Sequence, residues 1–226
     1  MKITYYGHSC LGIQIADVHL LIDPFIRQNP QASHIDIDMI SADYILVTHA
    51  HYDHTLDLEF FAERTGATLI SNFEIVNHYG QKGIQGHPMG VGGSYEFPFG
   101  TLKMVPAVHS SSFLDGSYGG TAAGFILTSP QGTVYISGDT GLSMEMKLIP
   151  EFFEIDLAVL PIGGNFTMDV SEALLASDFV ECNRVLAVHY DTSDLIRIDR
   201  TRSIEEFTQK GKELLILPIG ESMELD

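Results

Sequence analysis

An apolar run, Tyr44-Ile45-Leu46-Val47, is followed at once by Thr48-His49-Ala50-His51-Tyr52-Asp53-His54. Three imidazoles and one carboxylate fall within six positions after a strand-like segment. His49 and His51 are two apart, so an extended backbone turns both to one face and lets them bind one metal together. Asp53 and His54 follow after a turn and can face a second metal. Neutral imidazole and carboxylate suit Zn2+, with Mn2+ or Fe as alternatives. A His-rich surface turn would not need four ligand groups in this register behind a buried strand.

The same grammar recurs along the chain. Met104 to Val108 leads to His109, Val134 to Ser137 leads to Asp139, and Leu186-Ala187-Val188 leads to His189. Buried strands that release His or Asp at their C-terminal ends can converge on one crevice. Together the runs supply five His and two Asp, the number that a dinuclear site requires.

Length and composition set limits around this motif. A chain of 226 residues with 45% hydrophobic and 19% charged content is long enough for one domain with a substantial core. No apolar run reaches the roughly 18 residues that a membrane helix needs. Met1 to Tyr6 reads as a strand without the apolar stretch and cleavage site of a signal peptide, so a cytoplasmic location is expected. Cys10 and Cys182 lie in no CxxC pattern and read as small buried hydrophobes. The net charge of −18, with 12 basic against 30 acidic residues, opposes polyanion binding. The expected partner is a small-molecule substrate, not nucleic acid or membrane, with a homo-oligomer left open.

The pattern predicts strands over 2–6, 11–16, 18–22, 44–48, 68–70, 102–108, 122–128, 133–137, 156–162, 184–188 and 214–217. Helices are expected over 57–65, 72–79, 144–153 with a break near Pro150, 171–182 capped by Ser171, and 204–212. Segments 25–40 and 110–120 read as loops, and the Gly-rich 80–100 as a turn at Met89-Gly90-Val91-Gly92-Gly93 between small strands, with Tyr95-Glu96-Phe97 following. Asp43-Tyr44-Ile45-Leu46-Val47 and Asp156-Leu157-Ala158-Val159-Leu160 are a weak internal echo.

The clustered His/Asp motif and the three later handovers resemble the metallo-β-lactamase superfamily, and within it the small UPF0173-type metal-dependent hydrolases. These are relatives of the ascorbate-6-phosphate lactonase and of the N-acyl-phosphatidylethanolamine phospholipase D. The resemblance covers nearly the whole chain. It implies an α+β fold, a four-layer αβ/βα sandwich forming one domain over 1–226. It also implies two divalent metal ions: His49, His51 and His109 on the first, Asp53, His54 and His189 on the second, and Asp139 bridging both. A metal-bridging hydroxide would then attack an ester, lactone or phosphodiester, with Asp53 orienting the water or carrying a proton.

The resemblance places the turn with His8 beside the metals, where His8 could serve catalysis or merely close the turn. Asp23 reads equally as support for a ligand His or as a turn cap before Pro24. Asn165 and Thr167 follow a strand aimed at the crevice and are candidate substrate contacts. His19, His34, His78 and His87 read as structural or solvated. The competing functions are a ribonuclease Z-like nuclease, opposed by the acidic balance, and a non-hydrolytic metal-binding or redox protein, opposed by the lack of a flavin domain.

Overall fold

The computed structural model describes residues 1–225. The first half of the chain makes β1 (Lys2–Gly7), β2 (Cys10–Ile15), β3 (Val18–Ile22), β4 (Tyr44–Leu46), β5 (Thr68–Asn72) and β6 (Gly86–Met89). The second half makes β7 (Ser94–Phe97), β8 (Gly100–Pro106), β9 (Ala123–Ser129), β10 (Gly132–Ile136), β11 (Leu157–Pro161), β12 (Arg184–Val188) and β13 (Glu213–Leu215). A last strand, β14 (Ser222–Glu224), returns to the first sheet. The two sheets have seven strands each, in the orders β14-β1-β2-β3-β4-β5-β6 and β13-β12-β11-β10-β9-β8-β7.

Both halves share one topology. β1, β2 and β3 pair antiparallel, and β4, β5 and β6 then follow in parallel. β8, β9 and β10 pair antiparallel, and β11, β12 and β13 then follow in parallel. The sequence echo falls on the equivalent strands β4 and β11. Its leading aspartates do the same work: Asp43 accepts from the His19 backbone N–H at 2.8 Å, and Asp156 from that of Thr133 at 2.7 Å. Each carboxylate thereby fastens the start of a strand to the parallel strand beside it, β4 to β3 and β11 to β10.

Strands buried on both faces alternate between two cores. Leu20, Ile22, Leu46 and Ile70 join Leu102, Phe125, Leu127 and Leu186 in a core drawn from both sheets. Leu21, Ile45, Val47 and Leu69 point the other way, onto Leu58 and Phe61 of α2 (Leu58–Thr65) and Ile75 and Tyr79 of α3 (Phe73–Gly80). The helices α4 (Val170–Phe179) and α5 (Arg200–Gln209) send Ala173, Ala176 and Phe207 into the first core. This is the expected metallo-β-lactamase sandwich. Among the described residues no helix is long and apolar enough to cross a membrane. Both cysteines are free and buried.

Several element boundaries differ from the sequence expectation. The helix expected over 144–153 is a 3-10 turn at Met144–Leu148; Ile149 keeps a helical backbone, but Pro150 has no N–H to donate to a continuing helix. α4 is capped by Asp169, not Ser171: Asp169 accepts from the Glu172 N–H, and Glu172 answers to the Asp169 N–H. α5 starts earlier than expected because Asp199 caps it. β14 lies outside the predicted strands: Ser-Met-Glu is too short to signal one, and only its pairing with β1 makes it a strand.

Candidate metal centre

The ligand-bearing segments emerge where the strands stop. After β4, the Thr48 carbonyl accepts from the Ala123 N–H at 3.1 Å and so ties the two sheets together just before His49. His51 keeps an extended backbone, ψ 149°, and caps the one-turn helix α1 (Tyr52–Thr55). That turn aims Asp53 and His54. His109 follows β8, Asp139 follows β10 through Gly138, and His189 follows β12. His8 lies in the turn between β1 and β2, and its carbonyl accepts from the His189 N–H at 2.8 Å. His8 and His189 both hold left-handed backbones, φ 54° each. Such a conformation is uncommon for residues with a Cβ and is held here by the surrounding structure.

The side chains converge on Asp139. Its Oδ2 lies 3.0 Å from His189 Nε2, 3.3 Å from His54 Nε2, 3.7 Å from His109 Nε2 and 4.0 Å from His49 Nε2. His49 Nε2 is 3.0 Å from His51 Nδ1, and His189 Nε2 is 4.0 Å from Asp53 Oδ2. Three overlapping groups have ligand atoms within 4.8 Å of one another: His49, His51 and His109; His49, His54 and Asp139; and His8, Asp53, His54 and His189. All seven residues expected as ligands are therefore gathered.

Their support fixes the ring orientations. Thr48 donates its hydroxyl to Asp23 Oδ2 at 2.7 Å, so its oxygen is left to accept from His49 Nδ1–H at 2.9 Å. Asp23 Oδ2 also accepts from His54 Nδ1–H at 2.8 Å. Both rings thus turn an Nε2 lone pair toward the cluster, the tautomer that a metal needs. Asp23 is then a support for a ligand, one of the two roles open to it from sequence. His8 has the opposite tautomer. Its Nε2–H donates to Asp53 Oδ2 at 3.0 Å, and its Nδ1 accepts from the Thr192 hydroxyl at 2.9 Å.

Burial and the two carboxylates pull the imidazoles in opposite directions. Burial pulls the His8 imidazole down to about 4, only partly offset by its bond to Asp53, so it is neutral at pH 7. Burial also holds His49 well below its ordinary range. Burial pushes His54 the same way, but Asp139 and Asp23 overcome it and the net shift is upward, so without an ion a proton holds the place on Nε2 that a metal would take. Burial raises the Asp139 carboxyl, yet His54 and His189 outweigh that and hold it well below the usual carboxylate range. Among the described residues the buried polar atoms without a hydrogen-bond partner include His54 Nε2, Asp139 Oδ1 and His189 Nδ1. Unpartnered buried atoms are costly, and His54 Nε2 and Asp139 Oδ1, both borne by residues of the cluster, would be satisfied by a cation. The donor set fits metal.

A crevice of about 430 Å³ opens over this cluster, lined in part by His51, Asp53, His109, Asp139 and His189. Asn165 and Thr167 are not among its lining residues; Phe166, between them, is. Asn165 is exposed with φ 55°, and the Thr167 hydroxyl donates to the Met168 carbonyl. The turn shapes the crevice through the residue that sequence reasoning passed over. His19, His34, His78 and His87 stand outside the cluster; His19 pairs with Asp43, and His78 stacks on Phe113 at 3.9 Å. Sequence reasoning also missed Thr48 and Thr192, whose hydroxyls carry no signal without their partners.

Comparison with known proteins places the chain. The family described as Beta-lactamase superfamily domain matches residues 19–190. A UPF0173 metal-dependent hydrolase of Flavobacterium johnsoniae is 53% identical, over all of both chains. One from Christiangramia forsetii is also 53% identical over all of both chains. The structure of Igni18, a metallo hydrolase from Ignicoccus hospitalis KIN4/I, superposes with a TM-score of 0.91 at 34% identity, covering 100% of this chain and 98% of that one. With its His/Asp cluster assembled at the strand ends, the chain belongs to the metallo-β-lactamase superfamily and, within it, to the UPF0173 metal-dependent hydrolases.

Proposed function

We propose that this protein hydrolyses a small ester, lactone or phosphodiester, using two divalent metal ions. The observation that carries the reading is the central Asp139 carboxylate, with Oδ2 within 4.0 Å of four imidazole Nε2 atoms. One ion would be held by His49, His51 and His109, the other by Asp53, His54 and His189, with Asp139 serving both. Imidazole and carboxylate ligands favour Zn2+, with Mn2+ or Fe compatible. When bound, such ions supply Lewis acidity and acidify water to a pKa of about 7.

The chain's own residues do the rest. Asp53 is the more exposed carboxylate of the cluster, 39% against 3% for Asp139, and faces the crevice. Burial raises its carboxyl, but the His8 hydrogen bond and the His54 charge outweigh that and keep it ionised. Ionised and facing the crevice, Asp53 orients the attacking water through a carboxylate oxygen. Neutral His8, fixed by Thr192, holds Asp53 in that orientation. The nuclease alternative is disfavoured by the −18 net charge and by a crevice lined by no Lys or Arg. Two free thiols fit a cytoplasmic location.

Elemental analysis of protein expressed with ample Zn, Mn and Fe, beside a hydrolysis screen, tests the proposal. About two ions per chain and turnover of at least one ester, lactone or phosphodiester are expected. Trace metal only would sink the dinuclear reading.

A further inference from the structure

Two preformed turns present large apolar side chains at the mouth of the crevice. The first is a small hairpin after β8. Ser112 and Tyr118 bridge across it, and the Phe113 N–H donates to the Ser117 carbonyl at 2.9 Å. Its base is fastened to the metal-binding segment, because the Ala50 N–H donates to Ser111 Oγ at 3.1 Å and Ser111 Oγ donates to the Gly119 carbonyl at 2.8 Å. Asn72 closes it by donating to the carbonyls of Gly119 and Thr121. Leu114, near the tip of this braced hairpin, lines the crevice although it is 80% exposed.

The second turn follows β11. Gly164 donates to the Met168 carbonyl and accepts from the Phe166 N–H, while Asn165 takes a left-handed backbone. This projects Phe166, 54% exposed, into the same crevice. Tyr52 and Phe113 add further apolar surface. The charged side chains of the lining are carboxylates, Asp53 and Asp139, whose charge two divalent ions would more than offset at the reacting centre; away from that centre no Lys or Arg lines the crevice to receive an anionic substituent. An exposed apolar surface held rigid beside a reactive centre signals a ligand that covers it.

We infer that the crevice takes an uncharged carboxylic ester or lactone, with an apolar group lying against Leu114 and Phe166, in preference to a phosphorylated substrate. This rests on the hydrolase reading above and narrows its substrate class. Water adds its oxygen to the acyl carbon, the acyl C–O bond breaks, and the water's proton passes to the leaving oxygen, giving acid and alcohol. Leu114 and Phe166 determine which acyl or alkoxy group is accepted.

The test compares kcat/KM of the metal-loaded protein for 4-nitrophenyl acetate, 4-nitrophenyl hexanoate, 4-nitrophenyl hemisuccinate and bis(4-nitrophenyl) phosphate. Hexanoate is expected to exceed acetate by about ten-fold, within what burying its extra methylenes supplies, and to exceed both anionic substrates. Leu114→Ser with Phe166→Ser should lower the hexanoate-to-acetate ratio by about ten-fold; both side chains are largely exposed, so the fold loses little packing. A preference for either anionic substrate, or a ratio unmoved in the folded double variant, would overturn the inference.

A second arm needs no turnover. Binding of the neutral fluorophore N-phenyl-1-naphthylamine should weaken about ten-fold in the double variant. Unchanged binding would overturn the inference, and would direct attention to the other apolar hollow of about 360 Å³, lined by Ile126, Tyr135, Ile149 and Phe153. If metal-loaded protein hydrolyses none of the four substrates and no neutral lactone such as γ-caprolactone, the hydrolase reading fails by itself, and the fluorophore arm decides whether the apolar subsite stands.

Discussion

Asp139 is buried among imidazoles that would repel a cation if each were protonated, and its carboxylate is the counter-charge at the middle of the cluster. Asn at this position keeps the shape, loses the charge and offers one acceptor oxygen in place of two. Asp139→Asn should lower kcat/KM by at least about a hundred-fold, and by more than His51→Ala or His109→Ala. Its metal content, measured beside the kinetics, should also fall; retention of both ions with near-normal turnover would refute the bridging assignment. His8 works at one remove. His8→Ala should keep the metals and lower kcat about ten-fold, with Thr192→Val moving in the same direction by less. A His8 that merely closed its turn would give instead a lower Tm with kcat intact.

Elements set the approach between ligand segments. The loop leaving β11 passes so near the end of β12 that a Cβ on Gly163 would sit 2.2 Å from the His189 carbonyl oxygen. Both are backbone-borne, so no rotamer change relieves the clash. Gly163→Ala should destabilise by about 1–3 kcal/mol and disturb His189, which calorimetry and metal titration would register together. Gly80, at the end of α3 with open space around it, is the matched control. Gly80→Ala should leave the Tm level or slightly raised. Equal losses in both variants would mean that crowding at β12 is not the cause.

The whole molecule carries its buried imidazoles as a pH liability. His8, at about 4, and His49, His51 and His109, also lowered chiefly by burial, take up protons in the unfolded chain before the folded one. The unfolded state binds more protons below pH 6.5, so stability should fall as pH drops from 6.5 toward 4. His54, shifted upward, opposes this, and the lowered carboxyls of Asp53 and Asp139 reinforce it at the acid end. With chelator and enough salt to screen the −18 surface charge, the Tm should decline steadily from pH 7 to pH 4.5. A flat or rising Tm over that range would show that the cluster's burial does not govern acid stability.

Much of this architecture could be read along the chain, because the determinants were local. Periodicity and breakers marked most strands and helices, and His49 to His54 carry ligand chemistry within one strand end and one turn. The echo between Asp43 and Asp156 marked the two halves because an Asp before a parallel strand does the same backbone bonding in each. Boundaries slipped where a neighbour outbid the first plausible signal, as Asp169 did for Ser171 as a helix cap. Tertiary structure alone decided which residues support the ligands and which shape the crevice. His8 and Thr192 bond across 184 positions, and Asp23 meets His54 across 31. Phe166 rather than Asn165 faces the site because a left-handed turn rotates it there. Such choices depend on sheet order and on the path of distant loops, and no local pattern of side chains encodes where a distant strand will end.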